Sequence, residues 1–266
     1  MLPIKSRFQS IPVSILTAIA LGITGVAQPA WSESVPDQQN IQGTQIIFND
    51  PVPPDQGSPN GRQRGGASRG LCHQFEALTA LVPSKNGMVW GKTTSDRPTF
   101  WFYLPNQLTT QTPIEFVLQD GDDNYVYNTR ITAPETRSGL ISLAIPSTVK
   151  SLEVGKSYSW TLSVYCDPAK PSNSVFVTGT IQRVNLDAAL QNRLQGATPI
   201  EQVNLYAANG IWFEALNTLA NLYRTHSEQR SVATAWASLL QQVKLESVSP
   251  VPFAPCCTAE QRIGNQ

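Results

Sequence analysis

The chain has 266 residues and a formal net charge of 0 at pH 7, with 19 basic and 19 acidic groups. Charged residues make up only 14 % of it, and 20 residues are proline. Because no basic excess is available to hold a polyanion, nucleic-acid binding is not expected. The length suffices for one large domain or two small ones.

The first 32 residues have the order of an export signal. Lys5 and Arg7 form a basic lead, an apolar run follows over 11–27, and small residues come next. This order predicts a secretory signal peptide over 1–32, and the apolar run is shorter than the roughly 20 residues of a membrane-spanning helix. Its removal would leave 17 basic against 19 acidic groups, a net charge of −2. We therefore expect a periplasmic, cell-envelope or secreted protein.

Residues 33–70 are poor in apolar groups and rich in Pro, Gln, Asn and Gly. Such a composition buries too little surface to offset the entropy of ordering, so it predicts a disordered linker. Arg62, Arg64 and Arg69 are interpreted as solvated linker residues, although they could touch an acidic surface.

Residues 71–184 have the pattern of short β-strands. The segment 99–104 is apolar on both faces, which is typical of a central strand. Alternating runs on either side of Asp120-Gly121 predict a β-hairpin. About seven such strands with turn residues between them predict an antiparallel β-sandwich.

One phrase, residues 152–160, resembles the segment before the sixth strand of fibronectin-III and immunoglobulin-like sandwiches. There a leucine and a turn precede a tyrosine whose hydroxyl bonds back to the upstream backbone. The resemblance implies that Tyr158 holds this tyrosine corner. The fold class that we expect is β-rich α+β, with an immunoglobulin-like antiparallel β-sandwich followed by a short helical segment.

The apolar period becomes helical in residues 185–246. A stripe from Leu186 to Leu194 ends at Gly196, and Thr198-Pro199-Ile200-Glu201 is a capping box that starts a further helix. Two more helices follow after Gly210 and after His226. The offsets of the set Tyr206, Gly210, Trp212 and Ala215 resemble one tetratricopeptide hairpin. Because a single hairpin cannot bury its apolar face alone, we expect the segment to dock on the sandwich, and 247–266 to be an irregular tail.

Four cysteines in an exported chain indicate disulfides. Three pairings are possible, and sequence alone does not choose among them. The simplest pairs Cys72 with Cys166, leaving Cys256 and Cys257 to bond elsewhere or to each other. The inward register of Cys166 beside Trp160 favours an inert bridge over a reactive thiol.

The stretch from about Gly66 to Glu246 resembles a family of uncharacterised exported cyanobacterial proteins, the domain of unknown function numbered 928. The residues that carry this resemblance are Arg69-Gly70 with Cys72, 78–83, 97–103, 115–120, 164–167, Gly210-Ile211-Trp212 and Ala215-Leu216. The resemblance implies export and a cyanobacterial source but lends no activity.

The sequence contains few candidates for catalytic or metal-binding residues. His73 and His226 are the only histidines, and with four scattered cysteines they give no zinc spacing, so no metal or cofactor is expected. Asp120, Asp122 and Asn124 match the start of a calcium loop, but the glycine and glutamate that such a loop needs later are missing. We therefore interpret them as a hairpin turn that at most binds calcium weakly.

Trp101 and Tyr103 share one face of their strand. That face would be a sugar-stacking platform if it were open, but we expect a helix to cover it, because both faces are too apolar to leave in water.

The favoured hypothesis is a non-enzymatic exported protein that binds an envelope protein, with the helical hairpin as a candidate contact surface. The first alternative is a carbohydrate-binding module for envelope polysaccharide. The second is an unrecognised hydrolase, since distant carboxylates would leave no local motif.

Overall fold

The computed structural model describes residues 45–53, 61–66, 71–132, 136–167 and 169–257. The predicted signal peptide lies outside these residues, as do 33–44, 54–60 and 67–70 of the predicted linker and the tail after 257.

The described residues contain nine strands, four α-helices and two short 3₁₀ turns, Leu71–Phe75 and Glu246–Val248. The strands are β1 (Thr79–Ala80), β2 (Ser84–Lys85), β3 (Met88–Thr93), β4 (Thr99–Leu104), β5 (Ile114–Gln119), β6 (Tyr125–Ile131), β7 (Gly139–Ala144), β8 (Ser157–Tyr165) and β9 (Ser174–Arg183). The helices are α1 (Ala188–Gln195), α2 (Pro199–Ala208), α3 (Trp212–His226) and α4 (Arg230–Gln242).

The strands form two sheets. One has the order β1-β4-β7, and the other has the order β2-β3-β9-β8-β5-β6. Neighbouring strands run antiparallel except β3 and β9, which are parallel, with Trp90 opposite Thr180. The prediction of an antiparallel body is therefore wrong at this pair, because β3 joins the sheet beside the last strand, far away in sequence.

The two sheets pack face to face through aromatic side chains. The ring of Phe100 on β4 lies 4.9 Å from that of Phe116 on β5 and 5.9 Å from that of Trp160 on β8. Strict alternation on β8 places Trp160 and Leu162 in this core, at 1 % and 0 % exposure. The apolar residues at alternate positions of the strands thus form one apolar layer between the two sheets.

The turn into β8 is a tyrosine corner, as the sequence predicts. The backbone N–H of Glu153 donates to the hydroxyl oxygen of Tyr158 over 2.8 Å. Tyr158 is itself buried. The bond ties the loop before β8 to the start of the strand.

Two cap motifs set where α1 and α2 begin. The Asp187 side chain accepts from the Leu190 N–H at 2.8 Å, and Thr198 with Glu201 forms the predicted capping box. Gly210 joins α2 to α3 with φ of +68°, and a Cβ there would lie 2.7 Å from the Asn49 carbonyl oxygen. Glycine therefore fits this turn for two reasons: it adopts a positive φ without strain, and it has no Cβ to clash with the Asn49 carbonyl group.

The helices share the core of the sheets. Trp212 and Leu216 of α3 and Trp236 of α4 are at most 1 % exposed, and they belong to the same apolar cluster as Phe100 and Trp160. The indole N–H of Trp212 donates to the Leu81 carbonyl oxygen at 2.8 Å. The resemblance of α2 and α3 to a tetratricopeptide hairpin stays a prediction. The apolar side of these helices packs in the same core as the sheets.

The predicted linker needs a correction in its described parts. Ile46 and Phe48 are buried in the core, and the Asn49 N–H donates to the Ala207 carbonyl oxygen at 3.0 Å. Arg62 forms a β-bridge with Thr178. The prediction of a disordered linker is wrong for 45–53 and 61–66. Their composition is poor in apolar residues on average, but a few buried side chains and backbone hydrogen bonds are enough to hold these segments on the fold.

The described part of the C-terminal tail lies along β7. Phe253 forms a parallel bridge with Leu140, whose N–H donates to the Pro252 carbonyl oxygen at 2.8 Å. The Phe253 ring also packs 5.9 Å from that of Trp236. The tail therefore covers the edge of the three-stranded sheet. Within the described residues, no helix has both the length and the apolar character needed to cross a bilayer.

Candidate interaction surface

The predicted disulfide between Cys72 and Cys166 is confirmed. It joins the 3₁₀ turn before β1 to the end of β8, with the two Cα atoms 5.4 Å apart across 94 residues of sequence. Both cysteines are buried. Because the sulfur of Cys72 is bonded, it cannot pair with His73 as a nucleophile, and the His73 ring instead contacts Glu76 at 2.7 Å.

The second disulfide joins the neighbours Cys256 and Cys257. Of the alternatives that the sequence left open for these two residues, the structure selects the pairing with each other. It closes the tail just after the segment that lies on β7.

Trp101 and Tyr103 do not form an open platform. Trp101 is 3 % exposed, its ring packs on Phe253 at 5.4 Å, and its indole N–H donates to the Asn217 side-chain oxygen at 3.1 Å. The α3 helix and the tail together cover this face. Trp101 is therefore buried and Tyr103 partly buried, so the pair does not present an open face for sugar stacking.

The acidic loop between β5 and β6 is a hairpin turn. One carboxylate oxygen of Asp120 accepts from the backbone N–H groups of Asp122 and Asn124, each at 3.0 Å. These bonds, led by that from Asn124, lower the pKa of Asp120. The carboxylate is turned into its own loop, as the hairpin interpretation requires. Among the described residues, no group of three or more Asp, Glu, His or Cys side chains is placed to hold a metal ion.

The apolar side of the helical hairpin is not a free contact surface either. Leu216 and Leu219 of α3 are buried at 1 % and 0 % exposure. Asn217 and Asn221 line a groove on the surface of the hairpin, together with Gln202 and Leu222.

The outer face of the six-stranded sheet is partly open. On β8 the inward side chains alternate with Ser159, Thr161 and Ser163, which remain partly exposed. We call this surface the polar sheet face. Its residues are Glu115, Val117, Gln119, Asn128, Arg130, Ser159, Thr161, Ser163, Tyr165, Phe176, Thr178 and Thr180.

Strand register arranges the polar sheet face in rows. One row across four strands is Arg130, Glu115, Ser163 and Phe176. The next row, two residues further along each strand, is Asn128, Val117, Thr161 and Thr178. The hydroxyl groups of Thr161 and Thr178 lie 2.9 Å apart, and that of Thr178 also donates to the Trp160 carbonyl oxygen. Small side chains bonded in this way keep the centre of the face flat.

Two aromatic rings of the face are stacked against arginines: Phe176, at the β9 end of the first row, and Tyr165, on β8 in the neighbouring row. The guanidinium carbon of Arg62 lies 4.4 Å from the ring centre of Phe176, and that of Arg130 lies 4.9 Å from the ring centre of Tyr165. Both contacts are within the range of cation–π attraction. One face of each ring is therefore covered by a guanidinium group.

Tyr165 and Glu115 form a hydrogen-bonded pair between the two arginines. The Tyr165 hydroxyl donates to a Glu115 carboxylate oxygen at 2.5 Å. Burial, with this bond in second place, raises the pKa of Tyr165 to about 12. The hydroxyl thus stays protonated at neutral pH, and Glu115 supplies the negative charge of the row.

The sequence pattern predicts the inward residues of β8, whereas the outward face was not among the predicted sites. The run of Ser and Thr at alternate positions of β8 and β9 was the signal that could have located this face. The stacking of Arg62 on Phe176 had no such signal, since the two residues are far apart in the chain.

Comparisons with known proteins give a family and weak structural likenesses. No curated protein matches the chain. Among solved structures, the fn3 domain of human collagen alpha-1(XX) chain aligns at 9 % identity and a TM-score of 0.22, covering 40 % of this chain and 93 % of that one. Astrotactin-2, described as a conserved vertebrate-specific and perforin-like membrane protein, aligns at 12 % identity and a TM-score of 0.25, covering 65 % of this chain and 34 % of its own. The family model described as Domain of Unknown Function (DUF928) matches residues 64–253, most of the chain, and the protein therefore belongs to that family.

Proposed function

We propose that the protein is an exported, non-enzymatic interaction module of the periplasm or cell envelope. In this proposal its two sheets form an immunoglobulin-like sandwich that presents the polar sheet face to an envelope protein. The observation that carries the proposal is a difference between the outer faces of the two sheets. The outer face of the three-stranded sheet is covered at Trp101 by α3 and the tail, while that of the six-stranded sheet keeps Thr161 partly exposed.

The two arginine–aromatic pairs of the polar sheet face favour a protein partner over a sugar. Arginine and aromatic residues are enriched in protein–protein interfaces and among their energetic hot spots. A sugar would stack on a free ring face, and Arg62 and Arg130 already cover one face of Phe176 and of Tyr165. Two disulfides in the described residues support an oxidising compartment, in agreement with the predicted signal peptide.

A photo-crosslinking amino acid placed at Thr161 tests the proposal in the native envelope. We expect one defined envelope protein to crosslink through Thr161, and the crosslink to disappear when Thr178 is replaced by Arg. The matched control places the same crosslinker at Asn221, in the groove on the surface of the helical hairpin. Crosslinking only from Asn221 would overturn the assignment of the face. Retention of the chain by insoluble polysaccharide without any protein crosslink would instead support the carbohydrate alternative.

A further inference from the structure

The edges of the three-stranded sheet are covered by other parts of the chain. The Ala80 N–H of β1 donates to the Gln63 carbonyl oxygen at 2.8 Å, and the Leu140 N–H of β7 donates to the Pro252 carbonyl oxygen at 2.8 Å. At one end of the six-stranded sheet, β2 is only two residues long. The other end is β6, and in the part of the chain that the structure describes no segment makes a backbone hydrogen bond to its outer side. This strand therefore differs from the other edges, which are short or covered.

The hydrogen-bond pattern of β5 shows which backbone groups of β6 point outward. The Tyr165 N–H of β8 donates to the Pro113 carbonyl oxygen at 3.0 Å. Because antiparallel strands bond at alternate residues, every second residue of β5 counted from Pro113 bonds to β8, and the residues between them bond to β6. Asn128 and Arg130 lie opposite residues of the first set. Their N–H and C=O groups therefore point away from β5, toward the open edge.

The outer edge of β6 lacks the features that usually prevent edge strands from pairing. Its sequence, YVYNTRI, contains no proline and one charged residue, Arg130. The Arg130 guanidinium group lies over the Tyr165 ring of β8, so it reaches back across β5 instead of standing at the edge. Exposed edges without prolines or outward charges are templates for pairing with another strand.

The sequence of β6 is complementary to itself in one register. Two copies of β6, antiparallel about a twofold axis at Thr129, place Asn128 of each copy opposite Arg130 of the second copy. Each of these pairs exchanges both backbone hydrogen bonds, because the groups of both residues point outward. Thr129 then lies opposite Thr129 of the second copy, and threonine pairs across strands are favourable.

Neighbouring twofold registers are poorer. An axis at Arg130 would place two like charges directly opposite each other, which is destabilising. An axis at Asn128 would place Arg130 opposite Val126, where the pairing of β5 with β6 shifts register. The axis at Thr129 avoids both problems.

The size of the edge sets the strength of the pairing. The seven residues of β6 extend over about 24 Å at about 3.4 Å per residue. A strip of this length and one strand wide covers much less than the roughly 800 Å² per partner of a standard interface. We therefore expect a weak association that depends on protein concentration.

We infer that β6 pairs with β6 of a second copy of the chain, antiparallel about Thr129. A twofold axis between antiparallel strands is perpendicular to the sheet, so the two six-stranded sheets become one continuous sheet. Both polar sheet faces then lie on the same side of the dimer. This inference goes beyond the proposed function, since it concerns the edge of the sheet and not its face.

Sedimentation velocity of the chain purified from its native envelope tests the pairing. Over roughly a hundredfold range of concentration, up to about 0.5 mM, we expect monomer to convert to dimer. Asn128→Pro removes an outward N–H that makes no bond to β5, so this variant should stay folded and monomeric. Asn128→Lys is a second variant without a proline. It places a cation opposite Arg130 and should weaken the dimer at least about tenfold.

The matched control is Asn192→Lys, which adds the same charge at an exposed asparagine of α1. This control should dimerise like the unmodified chain. An unmodified chain that stays monomeric at every concentration would overturn the inference. So would a dimer that N128P and N128K leave unchanged.

Cysteine substitution tests the register. No cysteine is free in the described residues, so a single new one reports the contact. In the inferred register, the two Thr129 Cα atoms form a pair without direct hydrogen bonds and are about 4.5 Å apart, within disulfide range. The two Asn128 residues are diagonal neighbours, about 7–8 Å apart.

Under mild oxidation, T129C should therefore form a disulfide-linked dimer at least about fivefold faster than N128C. A non-reducing gel measures both rates. Equal rates, or faster linkage of N128C, would overturn the register. Linkage of T129C to a different envelope protein, with no linked dimer, would overturn the inference in favour of a foreign strand at this edge.

Discussion

Glu214 shows how a single residue joins the helices to the sheets. It lies in the first turn of α3, and one of its carboxylate oxygens accepts from the Thr93 hydroxyl at 2.6 Å and from the N–H groups of Thr94 and Ser95 at 3.0 and 2.9 Å. The other oxygen is buried without a hydrogen-bond partner. Burial raises the pKa of Glu214, although these hydrogen bonds lower it in part.

Replacing Glu214 by Gln should therefore change how stability depends on pH. A carboxyl group whose folded pKa is raised stabilises the fold fully below its unfolded pKa, and that contribution is lost as pH rises through the folded pKa. E214Q keeps the accepting oxygen without the charge. Its free energy of unfolding, compared with that of the unmodified chain, should therefore be more favourable at pH 7 than at pH 4. Urea unfolding at the two pH values measures this. A variant that instead loses relative stability at pH 7 would contradict the prediction.

The tyrosine corner gives a second test at the scale of one residue. Tyr158→Phe leaves the Glu153 N–H without its acceptor in a part-buried position. We expect a loss of about 1–2 kcal/mol in the free energy of unfolding, measured by urea titration. Tyr125→Phe is the matched control, because Tyr125 is 69 % exposed, and it should leave the free energy unchanged.

At the scale of elements, the two disulfides should differ in their effect on stability. The Cys72–Cys166 bond closes a loop across 94 residues, whereas the other bond joins adjacent residues. In the chain-entropy model, a disulfide that closes a long loop adds about 3–5 kcal/mol to the free energy of unfolding, and one that closes a very short loop adds far less. C72S/C166S should therefore lower the unfolding midpoint strongly, and C256S/C257S only slightly. Equal shifts in thermal unfolding would refute this account.

At the scale of the whole molecule, the helices complete the body. Phe213 of α3 packs 5.3 Å from Phe100, and the tail packs on Trp101. A chain ending at Val184 would expose these apolar groups to water, and at about 25 cal/mol per Å² such exposure costs several kcal/mol. We expect it to aggregate and to lose cooperative unfolding, as judged by light scattering and calorimetry. A truncated chain as soluble and heat-stable as the full one would show that the helices are an independent module.

Local features of this protein were determined by the sequence alone. The β5–β6 hairpin, the Tyr158 corner and the Thr198 capping box each depend on residues within a few positions of one another. Steric preference and hydrogen bonding at short range are enough to specify such features, so their patterns can be read directly.

Features that join distant segments were decided only by the tertiary structure. The parallel pairing of β3 with β9, the burial of Phe48 and the stacking of Arg62 on Phe176 all join segments far apart in the chain. No local pattern encodes them, because their energy comes from surfaces that meet only after the sheets have formed. The polar sheet face belongs to this class. Its alternating residues are visible in the sequence, but only the strand order and register of the sheet place Arg130, Glu115, Ser163 and Phe176 in one row.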